Sequence, residues 1–123
     1  MKRTLFAALL AGVALSSQAA EPTKREAKDF ITRLDAAVER GNAQILSEKI
    51  DPVARRKQAQ DLIALQNEGM KFGVLFTPFH SCNEASISAS SSWQGLIGLN
   101  KRQFDEGIDS YEKERQECLE AVN

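Results

Sequence analysis

The sequence predicts an all-α protein, a small helical bundle of about four helices with a disulfide-linked C-terminal antiparallel helical hairpin. Three observations carry that expectation. Apolar residues recur every three or four positions through most of the chain beyond residue 20, which is the helical period. The two cysteines, Cys82 and Cys118, lie equally far in sequence from Asn100. Only one short stretch, "GMKFGVLFTPF", reads as a strand, and an isolated strand would have no partner.

The chain opens "MKRTLFAALLAGVALSSQAAEP". Lys2 and Arg3 form a positive start, Leu5 to Leu15 a short apolar run, and Ser17-Gln18-Ala19 a small-x-small cleavage pattern, the layout of a secretory signal peptide. The run is too short for a bilayer span of about 20 residues, which disfavours the alternative of an uncleaved anchor. Cleavage after Ala19 divides the chain into an export signal at 1–19 and a single helical domain at 20–123. Losing Lys2 and Arg3 takes Lys and Arg from 16 to 14 against 17 Asp and Glu, a net charge of −3. That sign, with no dominant basic face, speaks against nucleic acid as a partner. The expected location is the periplasm or the exterior, with no stable membrane insertion after cleavage. Two cysteines in an oxidising compartment read as one disulfide, and a domain this small gains from such a staple.

The elements follow in order. Thr23 and Glu26 stand in capping-box spacing just after Pro22. Phe30, Ile31, Leu34, Ala37 and Val38 then form an apolar helical stripe, which Gly41-Asn42 is expected to end. A short piece, "AQILSEKI", offers Ile45, Leu46 and Ile50 to the core. Asp51-Pro52 is an N-cap with proline at the first helical position, and the second helix turns Val53, Ala59, Leu62, Ile63 and Gln66 inward. Its "RRK" at 55–57 reads as a solvated turn.

The segment around Phe72, Leu75, Phe76 and Phe79 has two readings: an apolar loop plugged into the core, or an exposed docking segment. The plug is favoured, because apolar patches of that density are rare on monomer surfaces.

The third helix can begin at Thr77-Pro78 or at Ser81, whose spacing from Glu84 suits a capping box. Cys82, Ala85, Ala89, Ser92 or Trp93, Leu96 and Leu99 line its inner face. Asn100, with Gln103 three residues on, caps a last helix whose seam runs Phe104, Ile108, Tyr111, Arg115, Cys118 and Val122. If Asn100 marks the turn, residues equidistant from it face each other. Cys82 then meets Cys118, Ala85 meets Arg115, Ala89 meets Tyr111, Trp93 meets Gly107 and Leu96 meets Phe104. Both cysteines lie about 27 Å from the turn at the helical rise, so they can bond.

Five serines, at 86, 88, 90, 91 and 92, crowd the third helix. Serine forms helices poorly on its own, because its hydroxyl competes for backbone groups. Packed between neighbours, these side chains allow close approach, and each hydroxyl can bond the carbonyl four residues back. A central helix contacted on two faces is therefore expected, in preference to a disordered serine linker. A serine nucleophile lacks a supporting pattern: there is no Gly-x-Ser-x-Gly and no Ser-x-x-Lys, and His80 reads as a helix cap or surface residue. No catalytic residue, metal ligand set or cofactor motif is assigned.

The leading expectation is a protein-binding module, in the sense of a small inhibitor or immunity protein acting on an envelope enzyme or toxin; an enzyme ranks third, with no motif that indicates one. Its candidate partner-binding residues are Phe72, Leu75, Phe76 and Phe79 in the apolar segment and Asp105, Asp109 and Glu112 on the acidic side of the last helix, although ordinary solvation is the favoured reading of that acidic side. The alternative is a periplasmic stress chaperone or adaptor responding to pH.

Overall fold

The computed structural model describes residues 21–74 and 77–123; residues 1–20, where the export signal is expected, and Leu75 and Phe76 lie outside the described residues. Four α-helices run in sequence, α1 (Lys24–Leu46), α2 (Pro52–Gly69), α3 (His80–Ile97) and α4 (Lys101–Val122), with a 3-10 turn at Met70–Phe72. No strand occurs among the described residues.

Helix α1 begins as its sequence dictates. The Thr23 hydroxyl accepts from the Glu26 amide at 3.1 Å, and Glu26 accepts from the Thr23 amide at 3.0 Å, so both exposed donors of the first turn are satisfied. Ala27, Phe30, Ile31, Leu34 and Ala37 are buried along one stripe. Gly41-Asn42 does not stop the helix, which continues to Leu46. Gly41 is instead a contact point: a Cβ there would sit 3.0 Å from the Trp93 ring and 2.9 Å from Gln58 Nε2. The glycine is needed for what packs on it.

Helix α2 is capped by Asp51, whose Oδ1 accepts from the amides of Val53 at 3.0 Å and Ala54 at 3.2 Å. Its buried face is Gln58, Leu62 and Gly69. The expected inward turn of Val53 and Ile63 is not found; both are exposed. Tyr111, Trp93 and α1 already fill the core, leaving α2 to dock by one leucine and a buried amide. That amide, Gln58 Nε2, donates to the Ala37 carbonyl at 2.7 Å.

Between α2 and α3, Phe72 and Phe79 turn inward. Phe30 and Phe72 have ring centroids 5.2 Å apart, and Phe79 meets Phe72 edge-on at 6.5 Å. Those two phenylalanines plug the core. Full burial of such a ring is worth about 2–3 kcal/mol.

Helix α3 is central and touches the other three. It starts at His80, and the expected Ser81–Glu84 cap is absent, because Ser81 Oγ donates across the hairpin to Glu117 Oε2 at 3.1 Å. Cys82 and Cys118 are joined with Cα atoms 4.8 Å apart, and neither is exposed. The hairpin closes in a Schellman motif. The Asn100 amide donates to the Gly95 carbonyl at 2.8 Å and the Leu99 amide to the Leu96 carbonyl at 3.2 Å. Leu99 takes the left-handed position, φ 57°, that glycine usually fills, and this turns its side chain to solvent instead of inward as expected. Asn100 Oδ1 then accepts from the Gln103 amide at 3.0 Å and starts α4.

The pairing across the hairpin is as expected at the cysteines and shifted by a residue nearer the turn. Gly107 faces Ser92, not Trp93: a Cβ on Gly107 would come 2.7 Å from Ser92 Cβ. Gly95 likewise lies under the α4 backbone, 2.6 Å from the Phe104 nitrogen by the same measure. Trp93 points away to α1 and α2, and its indole donates to the Arg55 carbonyl at 3.0 Å. Arg115 also leaves the seam and donates to Asp35 Oδ1 at 2.7 Å.

Candidate functional site at an uncovered apolar end

One end of the bundle gathers the last turn of α1, the first of α2, and the turn joining α3 to α4. Gln44 Nε2 on α1 donates to the Ala54 carbonyl on α2 at 3.4 Å, and the Trp93 bond ties α2 to α3. The core does not reach this far. Leu46 is 83 % exposed, Ile50 70 %, Val53 65 % and Leu99 92 %. All four were expected inside. Helix α1 outruns the elements that could cover it, so its last turn carries Leu46 past the packed region, and Ile50 and Val53 follow in the bend.

Between α1 and α4 this end opens into a groove of about 550 Å³. Ile45, Leu46, Phe104 and Ile108 supply its apolar wall, and Asn42, Asp105 and Asp109 its polar edge. Phe104 also walls a second hollow of about 260 Å³, with Leu96 and Leu99, so the apolar surface is continuous around the hairpin turn. Both charged residues on the groove wall are carboxylates. Asp105 is paired with Lys101 one turn back at 2.5 Å. Asp109 and Glu112 are exposed and have no ion-pair partner among the described residues.

The sequence-derived candidates are thus separated. Asp105 and Asp109 sit on the groove, and Glu112 lies one turn further along α4. Phe72 and Phe79 are in the core and offer no surface for docking. Leu75 and Phe76 lie outside the described residues. Of the groove's apolar members on α1, Ile45 packs partly buried against the core as expected, whereas Leu46, also expected inside, is exposed. The continuation of α1 past Gly41 has a signal in the sequence: Leu34, Ala37, Gly41 and Ile45 keep the helical period across the glycine.

The titratable groups elsewhere serve the scaffold. Asp35 accepts from the Tyr111 hydroxyl and from Arg115, tying α1 to α4. Burial, with Asp35 beside it, pushes the Tyr111 hydroxyl far above the ordinary phenol range. Burial also raises Glu114, with Glu84 and Glu117 adding to the effect, although Ser88 Oγ donates to it at 2.5 Å and pulls the other way. On the opposite face the Arg33 guanidinium forms two bonds to Glu68 and holds that carboxyl below its usual value. His80 is exposed, its Nδ1 3.3 Å from Glu84 Oε1. The serine hydroxyls go elsewhere: Ser86 and Ser92 donate to carbonyls three residues back, not four, at 2.7 and 2.8 Å. Ser90 accepts from Gln94, and Ser91 from Gln103.

No protein-family model, curated protein or solved structure matches this chain. Among the described residues, no helix is long and apolar enough to cross a membrane.

Proposed function

We propose that this chain is an exported protein-binding module, of the small inhibitor or immunity type, that captures an envelope protein through the uncovered end of its bundle. The supporting observation is the continuous apolar surface of Leu46, Phe104, Ile108 and Leu99 on a scaffold whose interior is otherwise closely filled. Contiguous exposed apolar surface with a polar rim is what binding sites present and what monomer surfaces otherwise avoid. The export signal and the disulfide support an oxidising compartment, the periplasm or the exterior.

The experiment is affinity capture from a periplasmic extract with the chain from residue 20, at micromolar concentration. One stable partner, retained by wild type, is expected. Absence of any such partner overturns the reading.

A second reading, an acid-responsive adaptor or chaperone, has one observation in its favour. Glu68 is held below its ordinary value of 4.5 by Arg33 across the α1–α2 face. Glu26 also lies below that value, lowered first by the Thr23 amide that it caps at the start of α1 and then by Lys71 in the 3-10 turn. Such groups stabilise the fold above that pH, and the contribution is lost as pH falls through their lowered values. Glu114, raised, has the opposite sign and favours the fold as it takes up a proton. Acid would therefore loosen the α1–α2 contact at Glu68 and the first turn of α1 before the disulfide-bonded hairpin. Dye binding confined to neutral pH, with none appearing in acid, would exclude this mode.

A further inference from the structure

We infer that the groove between α1 and α4 takes a single amphipathic helix of the partner protein, with its apolar stripe on Ile45, Leu46, Phe104 and Ile108 and its lysines or arginines against Asp105 and Asp109. The inference rests on the protein-binding reading above and names the kind of partner segment. Its geometry comes from α4. Phe104 and Ile108 are four residues apart, and so are Asp105 and Asp109, with Glu112 three further on. An apolar stripe and an acidic stripe therefore run side by side along the axis. A helical ligand carries matching stripes at the same spacing, which is how helices are read in grooves.

Charge selects among occupants. The groove wall bears two carboxylates and no cation, and Asp109 and Glu112 have no ion-pair partner among the described residues. A second copy docked symmetrically on this groove would put the Asp105 and Asp109 carboxylates of both copies into one interface, and like charges across an interface oppose binding. An anionic membrane surface meets the same repulsion. A basic partner helix gains on both counts. Its cations compete with Lys101 for Asp105 and find Asp109 unclaimed.

The test uses the chain from residue 20, labelled with nitrogen-15. The probe is a synthetic amphipathic peptide of about 18 residues, with a leucine stripe flanked by lysines. A twin carries glutamate in place of each lysine. The lysine peptide is expected to saturate, shifting amides at 42–46 and 104–109, and to bind about tenfold more tightly than its twin. The Asp105→Asn/Asp109→Asn double variant should lose most of that charge preference. Leu46→Asp should abolish saturable binding, and because Leu46 is exposed, its thermal midpoint should stay at the wild-type value. Equal binding of both peptides, or shifts confined to the far end around Met70 and Val74, overturns the inference. So does concentration-dependent dimerisation that Leu46→Asp abolishes, which would make a second copy the occupant. A native partner captured equally by wild type and Leu46→Asp overturns this groove while leaving the protein-binding reading intact.

Discussion

The two halves of the bundle are held by different means. In the hairpin of α3 and α4, small residues carry the packing. Gly95, Gly107 and Ser92 bring the two backbones into direct contact, and a buried disulfide closes the far end. In the half formed by α1 and α2, large side chains and polar clamps do the work. Phe30, Ile31 and Leu34 seat α1, but α2 buries only Leu62 among its large apolar residues and relies on Gln58, the Trp93 indole and the Arg33–Glu68 pair. A seam of small residues leaves no room for error and little for motion. A helix held at points can lean or lift. It follows that the hairpin is the rigid platform, and that α2 is the helix with the most freedom to yield.

The contrast can be broken most severely at the sulfurs. Replacing Cys82 and Cys118 together by serine reopens a loop spanning 36 residues, and chain-entropy estimates put the loss at about 3–4 kcal/mol. Urea unfolding should show that loss, with amide exchange rising first at the open end of α3 and α4. An unchanged midpoint would mean that the small-residue seam alone holds the pair.

Next in size is Gly107→Val. Its Cβ would lie 2.7 Å from Ser92 Cβ and 2.8 Å from the Ser92 backbone, which cannot move aside as a flexible side chain can. Overpacking of this kind costs about 1–3 kcal/mol. The Gly107→Val/Cys82→Ser/Cys118→Ser triple variant should lose more than the sum of its parts if seam and sulfur share one cooperative unit, a coupling that a double-mutant cycle measures.

On the other side of the comparison, Gln58→Ala removes the buried bond to Ala37 and should cost about 1–2 kcal/mol. Its signature is local. Exchange should rise in α2 while the hairpin keeps its protection, and equal loss in both halves would erase the distinction drawn here.

The smallest effect belongs to the surface clamp. Arg33 and Glu68 are each about a third or more exposed, so Arg33→Gln should cost only about 0.5 kcal/mol at neutral pH. With Glu68 held below 4.5 in the fold, wild-type stability should fall as pH drops below that value. The Arg33→Gln variant should show a shallower fall, because its Glu68 has lost the cation that lowers it. Parallel pH curves for the two proteins would remove the clamp from the account of α2.

Much of this architecture is legible before folding. The capping pairs Thr23–Glu26 and Asn100–Gln103, the Asp51-Pro52 start and the matched cysteines are short-range signals, and each appears where expected. Four of the departures have a common cause. Leu46, Ile50, Val53 and Leu99 were assigned to the core because apolar residues at helical spacing usually point there, yet each stands beyond the length over which four helices overlap. Periodicity reports direction around an axis and is blind to where along that axis the neighbours stop. Asp105 and Asp109 were recognised as acidic surface, but their apolar companions Ile45 and Leu46 come from a helix some 60 residues earlier in the chain. No local pattern links those two stretches.

The chain's own order of residues therefore determines the helices, their caps, the hairpin register and the sulfur pairing, since all of these depend on neighbours in sequence or on counting outward from one turn. Which apolar residues find cover is decided by the relative lengths and offsets of helices packed side by side. That is a property of the assembled bundle, and it is what leaves Leu46 and Leu99 facing water and sets an acidic edge beside an open apolar groove.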